Sequence, residues 1–197
     1  IAGESWHKTL HSVHVQMRPK RFSVTGPLVH LTETRTVATM LATEHFQTAV
    51  VGQEMHSGIH YAEFRRFGDP AYMGLVGVEF DPEQFDSDDW VRPCQTMISS
   101  PHGWGYAPGS GQLCHDTRKA TWAPDNPSCD EHDVVGLLLD ITAQTVTMYR
   151  NGCRSGIMIH PSMTDDIELP IHPLVPPLRW AVDLSERGAV RFNGPLP

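Results

Sequence analysis

"DVVGLLLDITAQTVTMYRNG", residues 133–152, is the most apolar and most regularly patterned stretch of the chain. Two readings compete for it: a buried strand of an enzyme's parallel sheet, with chemistry at its C-terminal end, or the core hairpin of an all-β module. The residue pattern favours the hairpin. Over 145–150 the side chains alternate, with Val146 and Met148 on one face and Thr145, Thr147 and Tyr149 on the other, as in a strand covered on one side. Over 134–140, Val135, Leu137 and Leu139 share a face, and the short link through Thr142 and Ala143 lets the two strands pair antiparallel. Asn151-Gly152 follows as a two-residue turn signal, because both positions tolerate positive φ. Burying each aliphatic side chain is worth roughly 1.5–3 kcal/mol, so this double hairpin is the expected centre of the core.

The surrounding sequence extends the same reading. Its 16 Gly and 16 Pro interrupt almost every apolar run, a spacing that suits many short strands better than helices. Strands are expected at 36–42, 46–51, 59–66, 72–80, 134–140, 145–150, 156–160, 178–183 and 188–193. A short helix is expected only over residues 5–16, and without crossover helices the parallel βαβ architecture is disfavoured. "DPEQFDSDDW" (81–90) and "APDNPSCDEH" (123–132) read as long polar surface connections. The fold class is therefore all-β, an antiparallel sandwich, with no internal repeat and no linker that would split it.

Composition limits the function. With 197 residues and 40% hydrophobic content the chain can bury a full core. A net charge of -8, from 15 Lys and Arg against 23 acids, argues against a broad nucleic-acid footprint. No apolar run reaches the roughly 18–20 residues of a membrane-spanning helix. Cys94, Cys114, Cys129 and Cys153 lack C-x-x-C spacing and follow no secretory leader pattern, so they read as reduced thiols in a cytosolic or nuclear setting. Because the chain opens on Ile1, it reads as a piece of a longer protein.

Motifs for catalysis and metal binding are weak. His7, His11 and His14 share a helical face but have no Cys or carboxylate to complete a site. The acids Asp81, Asp86, Asp88 and Asp89 lack the central Gly and terminal Glu of a calcium loop. "PGSGQ" (108–112) does not meet the nucleophile-elbow register, and no phosphate-binding Gly loop occurs. No catalytic residue, metal or cofactor is expected. Trp90 and Trp122, in polar loops, are the aromatic residues of most interest for a partner; Trp104 and Trp180 read as core.

Five segments, in order, resemble the SPRY domain family: "VVGQEMHSGIHYAEFRR" (50–66), "YMGLVGVEF" (72–80), "GWGYAPGSGQLCHDTRK" (103–119), "DVVGLLLDITAQTVTMYRNGCRSGIMI" (133–159) and "PLRWAVDLSERGAVRFNG" (177–194). The resemblance implies a bent, concanavalin-like β-sandwich over residues 36–197, with 1–35 an unassigned extension. It also implies a non-catalytic module that binds a peptide or loop of a partner protein through loops at one rim, often within a ubiquitin ligase. Compared with the SOCS-box SPRY proteins, the pocket Tyr is replaced by Cys114 and the late Trp is missing from Leu184-Ser185-Glu186-Arg187. A different ligand at the same rim is therefore expected. The partner-binding candidates are Glu44, His45, Gln53, Cys114, Ser185, Glu186 and Arg187, in loops 43–47, 53–58, 110–115 and 184–187. Arg187 could make a charge-assisted bond to an acidic ligand. The alternatives are a lectin-like carbohydrate-binding sandwich, which would rely on the 81–90 loop, and a purely structural domain of a large host.

Overall fold

A computed structural model of the chain describes residues 21–41, 46–68, 71–83, 95–122, 128–161, 173–185 and 188–193. Their strands are β1 (Phe22–Thr25), β2 (Val29–Thr32), β3 (Val37–Met40), β4 (Gln47–Val51), β5 (Ile59–Phe67), β6 (Ala71–Gly77) and β7 (Gly103–Ala107). They continue with β8 (Gln112–His115), β9 (Arg118–Thr121), β10 (Val134–Asp140), β11 (Thr145–Arg150), β12 (Cys153–Ile159), β13 (Leu178–Leu184) and β14 (Ala189–Asn193). The first sheet has the order β1-β4-β13-β6-β7-β8-β9 and the second β12-β11-β10-β5-β14-β3-β2. Every pairing is antiparallel, so the architecture is the expected β-sandwich.

The segment that opened the sequence reading occupies the middle of the second sheet. Leu137 lies opposite Met148, and Leu139 opposite Val146. All four are fully buried, as the alternation required. Asn151 and Gly152 adopt φ of 51° and 79°, which closes the β11–β12 hairpin with two left-handed residues. The Asn151 side chain also works locally: its Oδ1 accepts from the Val134 amide at 2.9 Å and its Nδ2 donates to Asp133 Oδ1 at 2.6 Å.

Between the sheets the core is aromatic at its centre. Phe64 stands edge-on to both Trp180 (6.2 Å) and Phe192 (5.1 Å), and Phe192 meets Phe22 at 5.9 Å. A second apolar cluster lies on the outer face of the first sheet, where Val50, Tyr72, Val76, Cys114 and Ala181 are covered by Phe80 and Met97. Met97 belongs to a 3-10 turn, Met97–Ser99, that crosses this face. Gly103 permits that crossing: a Cβ there would sit 1.9 Å from the Met97 carbonyl oxygen, so the first Gly of "GWG" is required by close backbone approach.

Three expectations need correction. The sandwich does not begin at residue 36, because β1 pairs with β4 and β2 with β3, which makes residues 22–32 part of both sheets. Those strands are four residues each and flank Gly26-Pro27, too short to show a period. Residues 103–121, absent from the expected strands, form β7, β8 and β9. Most of β7 and β8 is buried on both faces, which erases the polar alternation that marks a half-covered strand. Strand β6 stops at Gly77, three residues before its expected end, where Phe80 N donates to Gly77 O in a turn. The expected helix at 5–16, Cys94, Trp90 and most of the acidic 81–90 loop lie outside the described residues.

Candidate interaction surfaces

Strand register determines which loops can act together. Leu184, the last residue of β13, lies opposite both Gln47, the first of β4, and Ala71, the first of β6. Met40 N donates to Gly188 O at 2.9 Å, which joins the end of β3 to the start of β14. Strand β7 ends at Ala107 on the same side, and Gly111 N donates to Ala107 O at 2.7 Å to tighten the β7–β8 turn. The residues flanking 42–45, 69–70 and 186–187 and the 108–111 turn therefore converge at one end of the first sheet. This is the loop-bearing end expected to bind a partner.

The candidate residues do not all lie there. Glu44, His45, Glu186 and Arg187 fall outside the described residues, between flanking residues that are at this end. Ser185 is also at this end but is 3% exposed, and its carbonyl accepts from Gly188 N at 2.6 Å to hold the turn. Gln53 belongs to the opposite end. It precedes Met55, whose amide and carbonyl exchange hydrogen bonds of 2.8 and 3.0 Å with Leu178 at the start of β13. Cys114 lies in mid-strand opposite Gly105 and Lys119, buried in the outer-face cluster. Burial pushes its thiol up to about 12, outweighing the nearby Lys119 ammonium, so the group stays neutral and packs as a small apolar side chain.

The outer face holds residues that the sequence reading missed. The rings of Phe46 and Tyr72 lie 5.5 Å apart, and exposed Lys119 places Nζ 3.2 Å from Tyr72 Oη and 5.7 Å from its ring centroid. Leu41, 65% exposed, projects from the neighbouring end of β3. No sequence signal could have united these residues, because β6 is buried on both faces and Lys119 reaches Tyr72 only across three strand pairings.

Beneath this surface sits a fully buried carboxylate. Asp183 Oδ1 accepts from Thr48 Oγ1 (2.5 Å) and from Met97 N (3.0 Å), while Oδ2 accepts from Ile98 N (3.0 Å). Met97 N is shared with Thr48 Oγ1 at 3.0 Å. Desolvation pushes the carboxyl up to about 6, against the three hydrogen bonds that lower it. Its geometry is that of a clasp: it fixes the Met97–Ser99 turn over the first sheet, beside buried Tyr72 and half-buried Phe46. Among the described residues, no group of three His, Cys, Asp or Glu side chains is arranged to hold a metal ion. Trp122, expected in a loop, is 6% exposed and donates from Nε1 to Ile157 O at 2.7 Å, pinning the edge strand β12.

Two seven-stranded antiparallel sheets packed face to face define a β-sandwich. The sequence matches no family model and no curated protein sequence. Solved structures do match. The TRIM65 PSpry domain superposes with a TM-score of 0.68 at 13% identity, covering 98% of this chain and 97% of that one. The SPRY domain of human HERC1 gives 0.65 at 13% identity, covering 91% and 99%. Stonustoxin gives 0.65 at 15% identity over 89% of this chain, which spans only 27% of the stonustoxin chain. The chain thus has the fold of a SPRY-like domain.

Proposed function

We propose that this domain is a non-catalytic protein-interaction module that takes a short peptide or loop of a partner at the loop-bearing end of its first sheet. The observation that carries the reading is exposed Lys119 and half-buried Phe46, set over the buried ring of Tyr72 beside the convergent ends of β3, β4, β7 and β13. Aromatic rings give contact area at low entropic cost, and an ammonium beside them selects an acidic or carbonyl-rich ligand. Exposed Leu41 adds an apolar anchor point. Arg187, in the sequence segment between Ser185 and Gly188, stays the candidate for a charge-assisted bond to an acidic ligand. The SPRY resemblance supports the same role and suggests a host protein such as a ubiquitin-ligase component, in which the domain would select the substrate.

A peptide-display selection on the parent domain, run beside Lys119→Glu, tests this. An acidic consensus enriched on the parent and lost on the variant is the expected outcome. An identical consensus on both proteins would remove the outer face from the binding site.

A further inference from the structure

The other end of the sandwich carries a second concavity. A cleft of about 330 Å³ is lined by Gly77, Val78, Glu79, Pro101, His102, Trp104, Pro173, Val175 and Pro176. Two of its walls are among the few large apolar side chains left in solvent among the described residues, Val78 at 54% and Val175 at 63% exposure. Trp104 is 5% exposed, and its indole N–H is buried with no acceptor among the described residues.

The cleft is held open from both sides. Gln144 Nε2 donates to Leu174 O at 2.8 Å and to Ile141 O at 3.1 Å, which ties the 173–176 wall to the β10–β11 turn. Gly77 N donates to His102 O at 2.7 Å, which fixes the opposite wall. The lip is acidic: Glu79 is 71% exposed in its side chain and meets His102 Nε2 at 3.1 Å, and Asp81 and Glu83 follow it on the surface.

We infer that this cleft is a second binding site, for an extended peptide with proline or valine anchors and a neighbouring Lys or Arg. The apolar anchor sits between Val78 and Val175 over the indole, and the cation meets Glu79 in place of His102. Proline walls around an aromatic floor suit a polyproline II segment, which has little conformational entropy left to lose. The acidic lip selects the charge opposite to that preferred at the Lys119 surface, so the two ends would take different ligands. The inference does not rest on the reading of that surface.

The test uses the whole chain and three synthetic octapeptides: Pro-Val-Pro-Lys repeated twice, the same with Glu for Lys, and the same with Gly for Val. Binding is followed by titration and by the NMR signal of the Trp104 indole N–H. The lysine peptide should bind at least tenfold more tightly than the other two, shift the indole resonance, and lose at least tenfold affinity in Val175→Glu. Both variants used, Val175→Glu and Lys119→Glu, change exposed side chains and should keep the parent melting temperature. Lys119→Glu should leave the lysine peptide's affinity unchanged. Equal binding of lysine and glutamate peptides, an unmoved indole signal, loss in Lys119→Glu instead, or closure of the cleft by dimerisation of the chain would each overturn the proposal.

Discussion

Replacing Asp183 with alanine removes the clasp that holds the Met97–Ser99 turn on the first sheet. Two donors lose their acceptor, the Thr48 hydroxyl and the Ile98 amide, while Met97 N keeps Thr48 Oγ1. At about 1–3 kcal/mol for each orphaned donor, the loss centres near 4 kcal/mol. Removal of a desolvated carboxylate returns part of this, leaving a net destabilisation of about 2–3 kcal/mol at pH 7. The pH dependence is the sharper signature. The folded pKa of about 6 lies above the ordinary 3.8, so this group's contribution is complete below the lower value and is lost as pH rises through the upper one. The stability gap between the parent and Asp183→Ala should therefore widen by about 1 kcal/mol between pH 7 and pH 5. Urea unfolding at a series of pH values measures it. A gap that stays constant or narrows on acidification would refute the assignment of a raised pKa to this carboxyl.

Three further substitutions test the frame. Leu137→Ala, in the fully buried centre of β10, should cost about 3 kcal/mol in urea unfolding with an unchanged m-value. Trp122→Phe keeps an aromatic ring but removes the hydrogen bond to Ile157 O and part of the buried indole, and should cost at least about 1 kcal/mol while raising amide exchange selectively in β12. Asp133, despite some desolvation, is held below the usual carboxylate range by hydrogen bonds from Asn151, the Asp130 amide and Arg150. Asp133→Asn should therefore lower stability at neutral pH, and the difference should disappear as pH falls through the depressed pKa, read by thermal unfolding from pH 7 to pH 2.

Much of the sandwich was legible because the strands of the second sheet carry the period that the fold imposes. The expected limits 134–140 and 145–150 coincide with β10 and β11, where Val146 and Met148 face the core. The first sheet was harder. It is covered by the core on one side and by Phe80, Met97 and Ile98 on the other, so β6 and β7 are apolar throughout and their limits fade. The short strands 22–25 and 29–32 have no period to read at all, and only pairing with β4 and β3 defines them. The candidate site suffered for a related reason. Gln53 and Cys114 were grouped with residues from another end and another depth, because loop position along a sequence does not say to which end of a strand the loop belongs. Phe46, Tyr72 and Lys119 come from three separate strands or strand edges, and only the sheet register makes them neighbours.

Partner recognition at the loop-bearing end is tested most directly by the double substitution Glu186→Ala with Arg187→Ala, assayed for affinity toward the peptide selected on the parent and for melting temperature. The flanking residues Ser185 and Gly188 close their turn through backbone groups, which the substitutions leave in place. Affinity should fall at least tenfold, a loss of about 1.4 kcal/mol or more, with the melting temperature unchanged. Unchanged affinity, or a fall in affinity matched by a fall in melting temperature, would contradict a binding role for this end of the sandwich.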